Sequence, residues 1–102
     1  MTLLPAGVKV HLAFGYTDMR KGMNGLAAQV QEQHKHDPFS GHLFAFRGKR
    51  ASMLKVLFWD GNGLCLFIKR IDQGGFVWPR MVDPGGTVML SPAQLAMLIE
   101  GI

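Results

Sequence analysis

The stretch that most constrains the fold is Met53 to Arg70, MLKVLFWDGNGLCLFIKR. Two runs of strand-forming residues flank Asp60-Gly61-Asn62-Gly63, which has the residues a tight reversal needs. Glycine takes positive φ at little cost, and an aspartate side chain can bond back onto turn backbone. The pattern predicts a β-hairpin with a type I turn closed by a bulge at Gly63. That geometry sets Asp60 opposite Leu64, Trp59 opposite Cys65, Leu57 opposite Phe67 and Lys55 opposite Lys69. Leu54, Val56, Phe58, Leu66 and Ile68 then share a wholly apolar face, expected to be core. The other face mixes basic and large apolar groups and is expected to meet solvent or a partner. A slip of one residue would reverse the facing of a strand, so the register is itself an expectation to be tested.

The chain has 102 residues, of which 48% are hydrophobic, and no segment is of low complexity. One domain spanning residues 1–102 with a modest core is the expectation. The apolar runs are short and interrupted by charge, which fits no membrane-spanning helix. MTLLPAGVKV has neither a basic lead nor a long apolar block, so no signal peptide is expected and a cytoplasmic location is the default. A single cysteine, Cys65, excludes an internal disulfide. Eleven Lys and Arg against seven Asp and Glu give a formal charge of +4. That balance suits phosphate neutralisation without requiring it, since small basic domains are common.

Taken in order, Val8 to Phe14 alternates apolar and polar residues as a half-buried strand does. Gly15 ends it, and Thr17 or Asp18 can cap a helix running from about Asp18 to His34, with Met23, Leu26, Ala27 and Val30 at helical spacing. Gly22 and Gly25 in that helix suggest either close approach of another backbone or loose packing. Lys35 to Pro38 breaks the helix, and His42 to Arg47 is the next strand, joined to the hairpin by the basic turn Gly48-Lys49-Arg50. Phe76-Val77-Trp78 reads as a short strand, Asp83 to Gly86 as a turn and Thr87 to Leu90 as a last brief strand. Ser91-Pro92-Ala93-Gln94 has the residues of a capping box, starting a helix that buries Leu95, Leu98 and Ile99 and stops at Gly101. The predicted class is α+β: a small antiparallel sheet, a meander with a central hairpin, packed by one long helix, plus a short C-terminal helix.

Chemistry is sparse. His11, His34, His36, His42 and Cys65 show no CxxC or HExxH spacing and read as surface histidines and an inert strand cysteine. The aspartates at 18, 37, 60, 72 and 83 all occupy positions explained by capping or turns, and no phosphate-binding glycine motif occurs. Neither a catalytic site, a metal site nor a cofactor is expected. What stands out is cations beside aromatics. Arg20, Lys21, Arg47, Lys49, Arg50, Lys55, Lys69, Arg70 and Arg80 are candidates to hold DNA phosphates, while Trp59, Phe67, Phe76 and Trp78 are candidates to stack on bases or bind a partner protein. The competing explanation places both tryptophans in the core and makes the cations a solvated rim. For Arg20, a local pair with Asp18 is a second such explanation.

Several motifs occur in one order from about His11 to the C-terminus. They are Thr17-Asp18-Met19-Arg20-Lys21-Gly22, Asp37-Pro38-Phe39-Ser40-Gly41-His42-Leu43-Phe44 and Phe46-Arg47-Gly48-Lys49-Arg50, then Lys55 to Leu64 with Lys69-Arg70, Phe76-Val77-Trp78-Pro79, and Leu90 to Leu95. Together they closely resemble the small accessory protein of the insertion-sequence-sixty-six family of bacterial transposable elements, its second open reading frame or transposition protein B. The resemblance implies a non-catalytic role in transposition beside a larger transposase that carries the acidic catalytic residues. Members often continue a few residues past the position of Ile102, so a short further tail is an expectation of the resemblance.

Two mechanisms follow. In the first, the protein grips element ends or target DNA through its cations. In the second, it is an adaptor whose aromatic patch docks the transposase or a second copy, with the cations as a polar rim. The recurrence of cations at nearly every turn along the middle of the chain favours the first.

Overall fold

A computed structural model describes residues 7–13, 15–50, 52–78 and 87–100. Five strands, β1 (Val10–Ala13), β2 (Leu43–Arg47), β3 (Met53–Trp59), β4 (Leu64–Arg70) and β5 (Thr87–Leu90), form one sheet. Helix α1 (Met23–Glu32) joins β1 to β2, and α2 (Pro92–Glu100) follows β5. The strand order is β4-β3-β2-β1-β5. β1 and β2 run parallel, and the remaining neighbours are antiparallel. Parallel neighbours cannot be joined by a tight turn, which is why α1 has to sit between them. The expected α+β class is therefore what forms, with the β2–β3–β4 meander along one side of the sheet. Among the described residues, no helix is long and apolar enough to cross a membrane.

The hairpin forms in a different register from the expected one. Trp59 pairs with Leu64, Leu57 with Leu66, Lys55 with Ile68 and Met53 with Arg70. Asp60 is drawn into the turn: its Oδ1 accepts from the Asn62 and Gly63 N–H groups at 3.1 and 2.9 Å, and its own N–H donates to Gly63 O at 3.0 Å. Residues 60–63 thus all belong to the loop, and positive φ falls at Gly61 (φ 111°), not at Gly63. The slip turns β4 over. Cys65, Phe67 and Lys69 share a face with Leu54, Val56 and Phe58, while Leu64, Leu66 and Ile68 join Lys55, Leu57 and Trp59.

Each face carries a helix, which corrects the expectation of a solvent-facing side, with Ile68 and Met89 on the outer strands of the α1 face still exposed. On one, Leu95 and Leu98 of α2 bury against Val10, Leu12, Leu43, Ala45, Leu54 and Val56. On the other, Leu26 and Val30 of α1 bury against Ala13, Phe44, Phe46 and Leu57. All four residues of β1 are buried, not only alternate ones, because the strand lies inside the sheet between β2 and β5.

Helix α1 is shorter than its periodicity suggests. It starts at Met23 behind an N-cap of Gly22, which makes no side-chain cap bond. In the segment ahead of it, Lys55 Nζ donates to Met19 O at 2.7 Å and Lys21 O at 2.9 Å. A helix starting at Asp18 would need those carbonyls for the N–H groups four residues on. Asp18 itself turns to Arg20, and the Thr17 hydroxyl accepts from Gln29 Nε2 at 3.0 Å. The glycines mark no close backbone approach. A Cβ on Gly22 would meet nothing within 4 Å, and one on Gly25 only the Lys21 side chain. The chain leaves the helix through Lys35 at φ 59°.

At the C-terminal side, Thr87–Leu90 pairs with β1 as an antiparallel edge. The capping box forms as expected, with Gln94 N–H donating to Ser91 Oγ at 3.1 Å and Ser91 N–H to Gln94 Oε1 at 2.8 Å. Residues 76–78 are not a strand; Phe76 instead buries its ring beside Leu95 and Leu98. The turn expected at Asp83 to Gly86 and the stop at Gly101 lie outside the described residues. The Lys55 anchor gives the first prediction. Lys55→Met removes the donor to two carbonyls and should lower stability by about 1–3 kcal/mol, read as a lower urea midpoint with unchanged m-value.

Candidate nucleic-acid interface

Strand direction gathers the cations. The C-terminal ends of β1, β2 and β4 and the start of β3 lie at the same end of the sheet. That end therefore receives Arg20 and Lys21 after β1, Arg47 closing β2, Lys49 and Arg50 in the following turn, and Lys69 and Arg70 closing β4. The opposite end carries the hairpin loop with Asp60 and the connection into β2 with Asp37. Residues far apart in sequence thus form one basic rim.

Within the rim the cations do different things. Lys55 is only 6% exposed and is committed to the two carbonyls of the β1–α1 segment, so it is withdrawn from any phosphate surface. Lys69 donates to Ile99 O at 2.8 Å and ties down the last turn of α2. Lys21 Nζ donates to Gln29 Oε1 at 3.1 Å. Arg20 is exposed and forked onto Asp18, with Nη2 at 2.8 Å from Oδ2. Those bonds hold the Asp18 carboxyl at about 2, below its ordinary value. Lys49, Arg50 and Arg70 are exposed and form no ion pair among the described residues. Arg80 lies outside the described residues.

The three unpaired cations border a cleft of about 450 Å³. Thr17, Asp18 and Met19 form one wall, Gly48 to Arg50 and Ser52 another, and Met53 with Arg70 closes it at the end of the β3–β4 ladder. Gly48 lets the walls meet: a Cβ there would lie 2.6 Å from Met19 Cγ. Basic side chains thus border a concave opening between backbone loops, with the Asp18 carboxylate in one wall.

The four aromatics expected as one patch are not brought together. Phe76 is buried, Phe67 and Trp78 pack onto the α2 side of the sheet, and Trp59 lies on the α1 side, edge-on to Phe39 at 5.7 Å between ring centroids. The turned-over β4 is the reason, since it moves Phe67 to the face opposite Trp59. Another grouping takes their place. The Arg47 guanidinium carbon lies 4.9 Å from the Tyr16 ring centre and 5.4 Å from that of Trp78. Arg47 Nε and Trp78 Nε1 are buried with no hydrogen-bond acceptor among the described residues. Leaving such a donor unmet costs about 1–3 kcal/mol. Tyr16 escaped sequence reasoning because it follows Gly15 in a connector with no periodicity.

Two of the four histidines are buried rather than on the surface, while His36 and His42 are half-buried. His11 and His34 are each 6% exposed. His11 stacks on Phe44 at 5.2 Å and lies 4.3 Å from His36, centroid to centroid. Burial, then the neighbouring His36, His42 and Lys9 charges, push its pKa down to about 4. No group of three His, Cys, Asp or Glu side chains among the described residues is placed to hold a metal ion. Burial, followed by the Asp60 carboxylate, raises the Cys65 thiol, which leaves little thiolate at neutral pH.

A family profile described as IS66 Orf2-like protein matches residues 8–102. The chain belongs to that family. It is therefore an accessory protein of a bacterial insertion sequence. Two relatives, both from Sinorhizobium fredii (strain NBRC 101917 / NGR234), are similar to this member. The uncharacterized protein y4hO is 52% identical over 98% of this chain and 87% of its own length, and the uncharacterized protein y4jC is 36% identical over 94% and 80%. No solved structure matches the chain at a significant level.

The buried His11 yields a pH prediction. Its folded pKa of about 4 lies below the ordinary value of 6.5, so between those values the unfolded chain binds more protons. Stability from this site is fully present above about pH 6.5 and is lost as pH falls toward 4. Urea unfolding at neutral pH and near pH 5 should show the lower midpoint in acid, and His11→Asn should shrink the difference.

Proposed function

We propose that this family member supports transposition by gripping the DNA backbone with the basic rim at one end of its sheet. The observation that carries the reading is the exposed trio Lys49, Arg50 and Arg70, which borders one cleft without ion-pair partners among the described residues. Arg20, Lys21 and Arg47 extend the rim on either side. Such contacts position a protein on DNA without reading sequence, a role suited to element ends or target DNA held for a separate transposase. No step of bond breakage is assigned to this chain; its carboxylates Asp18 and Asp60 serve Arg20 and the hairpin loop.

An adaptor role is the second reading, and β4 is the observation in its favour. β4 is an outer strand of the sheet, so one row of its backbone groups faces away from β3. A transposase segment or a second copy could add a strand there, in place of the aromatic patch that does not assemble.

A salt series separates the readings. Duplex affinity, measured by anisotropy, should fall linearly with salt on logarithmic axes, and Lys49→Ala with Arg50→Ala should lower the slope by about 0.9 per removed phosphate contact. Absence of duplex binding at low salt, together with capture of the transposase by the wild-type protein, would leave the adaptor reading standing instead.

A further inference from the structure

We infer that Tyr16, backed by Arg47, is a stacking platform for an unpaired DNA base, so that the protein binds single-stranded or frayed DNA in preference to closed duplex. This rests on the DNA reading above and narrows the kind of DNA involved.

Tyr16 is 62% exposed, although it sits beside a well-packed sheet. Its position is nonetheless held. Gly15 at φ 71° turns the chain just before it, and the next residue, Thr17, donates its N–H to Arg47 O at 2.8 Å. The ring therefore stands next to the last residue of β2 on anchored backbone. Arg47 covers part of it, with the guanidinium carbon 4.9 Å from the ring centre, and the remaining surface faces solvent. An ordered, exposed aromatic surface stiffened by a cation is what a base requires, because every base presents a π face and stacking tolerates any sequence.

The neighbouring cations point to the same ligand. Arg47 is held between Tyr16 and Trp78, and both Arg47 Nε and Trp78 Nε1 lack an acceptor among the described residues. Both nitrogens are buried, so neither is open to a ligand. A nucleotide supplies a ring for Tyr16 and phosphate oxygens for the exposed Lys49 and Arg50 beside it. Arg47 also leads through Gly48 directly into Lys49 and Arg50. A strand whose phosphates follow that turn brings a base to Tyr16. In a closed duplex both faces of each base are already covered by its neighbours, so only an unpaired or terminal base can use the platform.

The test compares a labelled oligothymidylate with a duplex of equal length in the same buffer, on the full chain. The wild type should bind the single strand at least about fivefold tighter, the value of one stacked base. Tyr16→Ala should abolish that preference while duplex affinity stays unchanged, and Tyr16→Phe should retain it. The exposure of Tyr16 makes a folding defect avoidable, and coincident urea curves would verify this. Duplex binding with no single-strand preference, or equal loss on both DNAs in Tyr16→Ala, overturns the platform and leaves the phosphate grip intact. Binding of neither DNA overturns both.

Discussion

The contact on which the arrangement depends is the ammonium of Lys55 on the carbonyls of Met19 and Lys21. A lysine in an interior strand is costly to bury unless its charge meets acceptors, and here two backbone oxygens supply them. The bond reaches from β3 to the segment leaving β1, across 36 and 34 residues of sequence. It fixes the segment ahead of α1, which starts at Met23 and leaves Arg20 and Lys21 outside the helix, with Met19 against Gly48. One wall of the basic cleft is therefore built by a buried cation that does not itself reach the cleft surface.

Coverage of both sheet faces decides where function can reside. With α1 on one side and α2 on the other, the open backbone is confined to strand ends and outer strands. The strand directions then separate the ends by charge: three strands finish and two begin at the end that carries Arg47, Lys49, Arg50 and Arg70, while the hairpin loop with Asp60 closes the other. A member of an insertion-sequence accessory family thus presents a basic rim without a basic face.

Cations that look equivalent in the sequence divide by what they touch. Lys55 and Lys69 stabilise the fold through backbone carbonyls, Arg20 is matched by Asp18, and Lys49, Arg50 and Arg70 remain for solvent or a polyanion. Arg47 is of a fourth kind, a guanidinium between two rings whose Nε no part of the described structure satisfies. Formal charge alone cannot make these distinctions, because it depends on composition and not on the distance between a charge and its acceptor.

Local chemistry was legible in the sequence wherever the interaction is short in range. The capping box at Ser91 and Gln94, the reversal at Asp60 to Gly63 and the break after α1 near Lys35 each involve residues within a few positions of one another. The α+β class followed from the alternation of strand and helix patterns, and the family from motifs spread along the chain. The register of β4 was not legible, because one hydrogen-bonding choice by Asp60 turns the whole strand over, and both faces of that strand are apolar enough to be buried. Nor were the fates of Lys55, Phe76 and Tyr16, which are decided by partners tens of residues away. The sequence by itself determined the type of most elements, the cap of α2 and the supply of cations. Only the tertiary structure decided which cations and which aromatic reach the surface together, because strand direction and helix coverage act on the chain as a whole.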